Sequence, residues 1–359
     1  MTVPKHNPLP GVPSVESPFF EDIFAQETSA EFMSIARSLH EEGYAIIDFP
    51  EVEFDTLTAR IIDELDDGYD WARWHDNPMF TPRIMDAWQF HKAVHRLAVN
   101  QAIIDLLSKL YGRRAFPFQT LNFPVGTQQH FHTDSIHFAS MPERYMCGVW
   151  VAFEDVDENN GPLEYYPKSH KLPIYSNEAV ACTPSWQDGS STRNNAKYFN
   201  LWSRLIEQYQ LERQELHLRK GQAVIWAANL LHGGAPQKDL QRTRQSQVTH
   251  YFFENCAYYT PVMSIPFLGS VAYRGNLVNV ATKKPVKHQI GELQIPDEFI
   301  QQAASAGKRF SMQQMPLSAR AQAEFQYKRR MANLLMDSKL TSMKRFGRRV
   351  KGLFGFDRA

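Results

Sequence analysis

Cysteine is scarce in this chain, with three in 359 residues: Cys147, Cys182 and Cys256. An odd number without repeated spacing argues against a disulfide framework and for a reducing compartment. Long apolar runs are missing as well. No window reaches the roughly 18 apolar residues that a membrane-spanning helix needs. The first twenty residues lack the basic-then-apolar pattern of a secretory leader. The expectation is a soluble, cytoplasmic protein. There is no internal repeat, and net charge is absent, with 39 basic against 39 acidic residues. That balance hides an asymmetry. Residues 328–359 carry ten Lys and Arg against two Asp, so the first 327 residues are negative by as much as the tail is positive.

What the chain does have is apolar and aromatic mass: 43% hydrophobic and 13% aromatic residues, enough for a sizeable core of β-rich character. Three parts are expected. Residues 1–27, rich in Pro and Ser, read as an extended N-terminal arm. Residues 28–295 read as the main domain, and 296–359 as a helical basic tail. Thr28 to Glu31 looks like a capping box, followed by Phe32, Ile35, Ala36 and Leu39 at helical spacing and Gly43 as the stop. A strand follows over 44–49. Amphipathic helices are expected over 54–66 and 91–111, the latter closed by Gly112. From about 116 the texture becomes short strands with turn residues between them, at 116–123, 130–138, 146–153, 162–166, 215–219, 222–228 and 247–254. This predicts a sandwich or barrel rather than a parallel sheet. The polar stretch 183–198 interrupts the strands, as an active-site flap or as a passive surface loop.

The chemistry concentrates at His132-Thr133-Asp134 and, far downstream, His232. Residues two apart on a strand project to one face, so His132 and Asp134 can grip one metal ion from a single strand edge. His232 follows the strand-like Ala223-Val224-Ile225-Trp226 and precedes a turn at Gly233-Gly234. Two imidazoles and one carboxylate suit ferrous iron and leave its other positions open. His130 shares the face of His132 and competes for the ligand role. Arg244 and Ser246, on one face of the last strand, could hold a carboxylate through a forked guanidinium and a hydroxyl. Arg242 is the alternative anchor. His170, in Gly161-Pro-Leu-Glu-Tyr-Tyr-Pro-Lys-Ser-His170, reads as a scaffold residue. Trp71, Trp74, Trp88 and His91 are candidates for the pocket entrance or for plain packing.

Taken in order, the H-x-D at 132–134, the G-x-L-x-x-x-P-x-S-H at 161–170, the strand KGQAVIWAANLLHGG at 220–234 and the R-x-S at 244–246 resemble the phytanoyl-CoA dioxygenase family of iron(II)/2-oxoglutarate oxygenases. The resemblance covers roughly residues 31–255. It implies a mainly β fold, a double-stranded β-helix (jelly roll, cupin-like) with flanking helices. It also implies Fe(II) held by His132, Asp134 and His232, 2-oxoglutarate as cosubstrate anchored by Arg244 with Ser246, and O2 as oxidant. Trp150 matches a tryptophan that lines the cosubstrate pocket of relatives, and Gln119 and Asn122 fall where relatives place polar cosubstrate contacts. The reaction implied is hydroxylation of an unactivated C–H bond, with release of succinate and CO2. Asp134 favours hydroxylation over halogenation, since related halogenases lack this carboxylate. Two departures stand out: Gly234 occupies the place of a common Ser, and the stretch from His232 to Arg244 is one residue longer than usual.

The partner expected is a small-molecule substrate, with oligomeric state left open. In the tail, Leu340, Met343, Phe346, Val350 and Phe354 recur at three- and four-residue steps among Arg and Lys. This pattern fits packing on the enzyme's own acidic body or peripheral contact with an anionic inner membrane surface. Nucleic acid is not expected, because no stacking platform or known module accompanies the charge. Two other readings of the whole stay open. One is a metal-dependent jelly-roll isomerase or lyase without 2-oxoglutarate. The other is a non-catalytic scaffold whose tail does the binding.

Overall fold

The structure, a computed structural model, describes residues 7–182, 191–266, 271–298 and 300. Most of the basic tail, with its predicted helices, and residues 183–190 of the polar stretch lie outside these.

The expected extended arm is instead folded onto the core from Ser14. A turn of 3-10 helix at Ser14–Glu16 leads to α1 (Phe20–Ile23), and Val15, Phe20, Ile23 and Phe24 are all buried. The Pro and Ser content masked these four apolar side chains, each contributing roughly 1.5–3 kcal/mol on full burial. Glu16 is pinned beneath them by Arg144 at 2.7 Å. Helix α2 (Ala30–Glu42) starts one residue later than the capping box implied. Ser29, not Thr28, accepts the Phe32 N–H, and Glu27 accepts from Ser29 in turn. Gly43 ends α2 at φ +89°, with the His170 ring packed against its α-carbon, where no side chain would fit.

Strand β1 (Tyr44–Asp48) and helix α3 (Phe54–Leu65) follow, then α4 (Trp71–Asp76) and the short β2 (Ile84–Met85). The single helix expected over 91–111 is two, α5 (Lys92–Ala98) and α6 (Gln101–Tyr111). Asn100 breaks them apart. Its side chain accepts the Ile103 N–H to cap α6 and donates to the Pro50 carbonyl. The β region comprises β3 (Ala115–Phe123), β4 (Ala139–Met141), β5 (Met146–Ala152), β6 (Leu163–Tyr165), β7 (Gln214–Leu216), β8 (Gln222–Ala227), β9 (His232–Gly234), β10 (Ser246–Phe253) and β11 (Ala257–Tyr259). Between β6 and β7 lies α7 (Ser191–Tyr209), so the second half of the presumed flap begins a long helix. Trp202 and Tyr198 of α7 are buried against Tyr166, Leu231 and Ile136.

A six-stranded antiparallel sheet in the order β1-β8-β5-β10-β3-β2 faces a three-stranded sheet, β7-β6-β9. This is the jelly-roll arrangement. Alternation sorts the side chains of the large sheet into two layers. One face packs on the helices through Phe116, Val149, Ile225 and Phe252. The other points into the barrel, where Trp150, Val224, Trp226 and Val248 meet Tyr165 and Leu216 of the small sheet. The pocket opens at one end of this second layer. Among the described residues no helix is long and apolar enough to cross a membrane.

Candidate metal centre

The strand expected over 130–138 is not formed. His132 makes a single bridge to His232, with His132 N–H donating to the His232 carbonyl at 2.8 Å and the reverse bond at 3.0 Å. Asp134 then opens a 3-10 turn, Asp134–Ile136. The H-x-D pair is therefore held by one backbone bridge and a turn, not by a strand edge. Gly233 and Gly234, read as a turn, lie in β9. A β-carbon on Gly233 would meet the Gln129 carbonyl at 2.8 Å, and one on Gly234 the Gln128 amide at 2.7 Å. Chain segment 127–131 passes too close for anything but glycine, which explains the absence of a Ser at 234.

This packing brings residues distant in sequence together. The ligand atoms of His132, Asp134 and His232 lie within 4.8 Å of one another. That is close to the span of roughly 4 Å across which two ligands share one ion. Each imidazole is oriented by its far nitrogen: His132 Nδ1 donates to the His130 carbonyl and His232 Nδ1 to the Leu230 carbonyl, both at 3.0 Å. Both Nε2 atoms are left as lone-pair donors, 3.9 Å from the Asp134 carboxylate. Burial, helped by the neighbouring His232, pushes His132 far below the ordinary imidazole range, so Nε2 stays unprotonated at neutral pH. Burial disfavours the charge on Asp134. The surrounding imidazoles and the Trp226 indole N–H, 2.8 Å from Oδ2, outweigh it and hold the carboxyl at about 2.

A cavity of about 490 Å³ opens on this cluster and runs to Arg244, Trp150 and Gln119. Arg244 is fully buried yet almost unpartnered. Its Nη2 reaches the Val125 carbonyl at 3.4 Å, while Nε and Nη1 have no acceptor. Burial pushes the guanidinium down only to about 10, so it is charged at neutral pH. Ser246 Oγ, at the first residue of β10 and two positions past Arg244, is buried and equally unsatisfied, and Trp150 lies under the guanidinium at 5.2 Å. Buried donors of this kind cost energy unless an acceptor arrives. A dicarboxylate with one end at Arg244 and the other on the metal site fits this donor set.

Other expected site residues fall elsewhere. Asn122 is buried on the opposite face of β3 from Gln119, bonded to Gln247, and does not reach the cavity. His130 turns away and stacks on Phe199. Arg242 is committed to Asp157 through two bonds of 2.8 Å. His170 is a scaffold residue, its Nε2 on the His40 carbonyl. Trp71, Trp74, Trp88 and His91 pack in or beside the helical layer and do not line the cavity. Arg83 and Met85 from the same region do.

Sequence reasoning missed His137, Trp226, His250 and Arg274, all in the cavity wall. His250 Nδ1 donates to Gln119 Oε1 at 3.0 Å, and its Nε2 faces Asp134 at 3.8 Å. The period-two series Arg244, Ser246, Val248, His250 was a usable signal for it. Trp226 shares the face of Val224 on β8, and Gly148 on β5 makes room for its indole. Arg274 had no local signal at all.

The sequence model of the phytanoyl-CoA dioxygenase (PhyH) family matches residues 19–245. The chain belongs to that family. Bovine (Bos taurus) peroxisomal phytanoyl-CoA dioxygenase is 29% identical over 135 residues, 37% of this chain and 36% of that protein. The rat (Rattus norvegicus) counterpart matches to the same extent. The match thus spans just over a third of the length of these curated relatives. Among solved structures, the non-heme alpha-ketoglutarate-dependent carbocyclase SnoK from nogalamycin biosynthesis superposes with a TM-score of 0.50 at 16% identity, covering 75% of this chain and 96% of that one. At that identity the likeness concerns the fold.

Proposed function

We propose that this member of the PhyH family is an Fe(II)- and 2-oxoglutarate-dependent dioxygenase that hydroxylates an unactivated C–H bond of a small-molecule or lipid-linked metabolite, releasing succinate and CO2. The observation that carries this reading is the buried Arg244 guanidinium, its Nε and Nη1 unmet, in the same cavity as the His132, Asp134 and His232 cluster, with the unmet Ser246 hydroxyl two residues further along the chain. A bound iron would supply the oxidative decarboxylation of 2-oxoglutarate and the C–H oxidation. The chain's own residues prepare for it. His132, Asp134 and His232 would hold the ion from one side. The His130 and Leu230 carbonyls fix the two imidazole rings, and Trp226 fixes the carboxylate. Arg244 and Ser246 would take the distal carboxylate, and Trp150 and Val248 keep water from it. Gln119, tied to His250, borders the cosubstrate region.

A metal-dependent isomerase or lyase without 2-oxoglutarate would leave the Arg244 and Ser246 donors without partners, and a non-catalytic scaffold gives no reason for the converging triad. The bovine relative is named for phytanoyl-CoA, a lipid-linked metabolite of the class proposed. We also place the protein in the cytoplasm, on the strength of its low and odd cysteine count, without the spacing of a disulfide framework. The deciding experiment is anaerobic titration of 2-oxoglutarate into iron-loaded protein, followed by succinate measurement after air and ascorbate are admitted. Saturable binding with succinate formation supports the reading; absence of both ends it.

A further inference from the structure

The cavity wall holds a second guanidinium besides Arg244, that of Arg274, with the exposed Arg83 at the rim. Arg274 lies downstream of the family match and is fixed by its backbone. Its N–H donates to the Tyr258 carbonyl at 3.0 Å, and its own carbonyl accepts from His288 at 3.3 Å. The side chain sits 5.0 Å from the Phe138 ring centre and 5.6 Å from that of Phe118, and gives a single bond of 3.3 Å to Thr260 Oγ1. Among the described residues no carboxylate pairs with Arg274 or Arg83 within ion-pair distance. Among the described residues Asp134 is the only acidic side chain in the cavity lining, and Asp86, outside that lining, attracts Arg274 through space without pairing with it.

Charge then decides what the remaining space accepts. A ferrous ion, the Asp134 carboxylate, a 2-oxoglutarate dianion and Arg244 sum to zero. Arg274 and Arg83 are left over in the lining, together with the apolar side chains of Met85, Phe138 and Met263. A guanidinium partly withdrawn from water beside two aromatic rings gains most from a bidentate oxyanion. We propose that Arg274, with Thr260 beside it, is the substrate-recognition group, and that the substrate is a carboxylic acid with an apolar body. Its acid head docks at Arg274 and places an apolar carbon before the metal site. Arg83 at the rim draws the anion in. The proposal takes the oxygenase reading of this cavity as its frame.

The test is calorimetric and needs no turnover. Full-length protein with Fe(II) and 2-oxoglutarate, kept anaerobic, is titrated with octanoate, octyl phosphate and octanol, which share one chain and differ in the head. Octanoate should bind about ten- to a hundredfold tighter than octanol, the worth of one charge-assisted pair. Arg274→Gln should abolish that preference while leaving 2-oxoglutarate affinity unchanged, which also shows that the variant folds. Arg274→Lys should keep part of it. Equal binding of octanoate and octanol to wild type, or a preference that survives in Arg274→Gln, overturns the assignment, and octyl phosphate outranking octanoate overturns the carboxylate class. Loss of 2-oxoglutarate binding in Arg274→Gln also overturns it, making Arg274 the cosubstrate anchor. If 2-oxoglutarate fails to bind wild type while octanoate still shows its Arg274-dependent preference, the oxygenase reading falls and the acid-binding site stands.

Discussion

The two ends of the cavity are finished to different degrees. At the metal end every group is already braced: both imidazoles donate to carbonyls, Asp134 accepts from Trp226, and a pair of backbone bonds ties His132 to His232. At the Arg244 end, two guanidinium nitrogens and a hydroxyl are buried with nothing to bind. The first end is preorganised, so binding there costs little reorientation. The second carries a standing desolvation cost that a ligand relieves. One end is built for geometry, the other for selection of an anion.

Breaking the metal end should have the largest effect. His132→Ala or Asp134→Ala is expected to reduce iron binding and succinate formation to background; retained 2-oxoglutarate turnover in both would remove the triad from the mechanism. Arg244→Leu comes next and separates the two ends. Its 2-oxoglutarate affinity should fall by a hundredfold or more, on the order of 3 kcal/mol, with iron still bound. Thermal stability of the ligand-free protein should hold or rise, because an isolated buried charge has been replaced by an apolar group. A stability loss of several degrees would mean Arg244 is structurally satisfied as it stands. Trp226→Phe probes the bracing alone. Iron affinity should weaken about ten- to a hundredfold with the 2-oxoglutarate end untouched.

A smaller effect concerns pH. Burial pushes His170 down to about 4. In the window from 6.5 to 4 the unfolded chain binds this proton and the folded one does not. Stability from this group is therefore fully present above pH 6.5 and lost as pH falls toward 4. His170→Gln should flatten that loss by on the order of 2 kcal/mol, read from denaturant midpoints at pH 7 and pH 4.5. Because His170 lies outside the cavity, iron binding at neutral pH should not change. The smallest effect on the cavity is expected from truncation after residue 327. Both ends should bind as before, while pelleting with anionic vesicles drops if the basic tail contacts membrane. Equal pelleting of the two forms would end that idea.

Much of this site was legible because its determinants are local and periodic. The alternation Arg244, Ser246, Val248, His250 is a strand's period, and Gly43 and Gly112 stop helices that their sequences announce. What misled was length. The helix over 91–111 is split because Asn100 finds a better use as a cap, and 130–138 forms no strand because one bridge to His232 satisfies it. The arm before residue 28 was misjudged by composition, since four apolar residues outweigh its prolines once a core exists to receive them. Asn122 was misassigned by one step of the pleat, and a one-residue change of parity moves a side chain from pocket to core.

By itself, the sequence determined which residue types were available for iron chemistry and their order along the chain, because motif spacing and strand alternation are properties of a few consecutive bonds. Only the tertiary structure decided that His132 and His232 meet across a backbone bridge, that Arg244 is buried without an acceptor, and that Arg274 and Trp226 join the same wall. Those facts depend on how two sheets close over one another, and contacts between residues a hundred positions apart leave no mark on the local pattern of either.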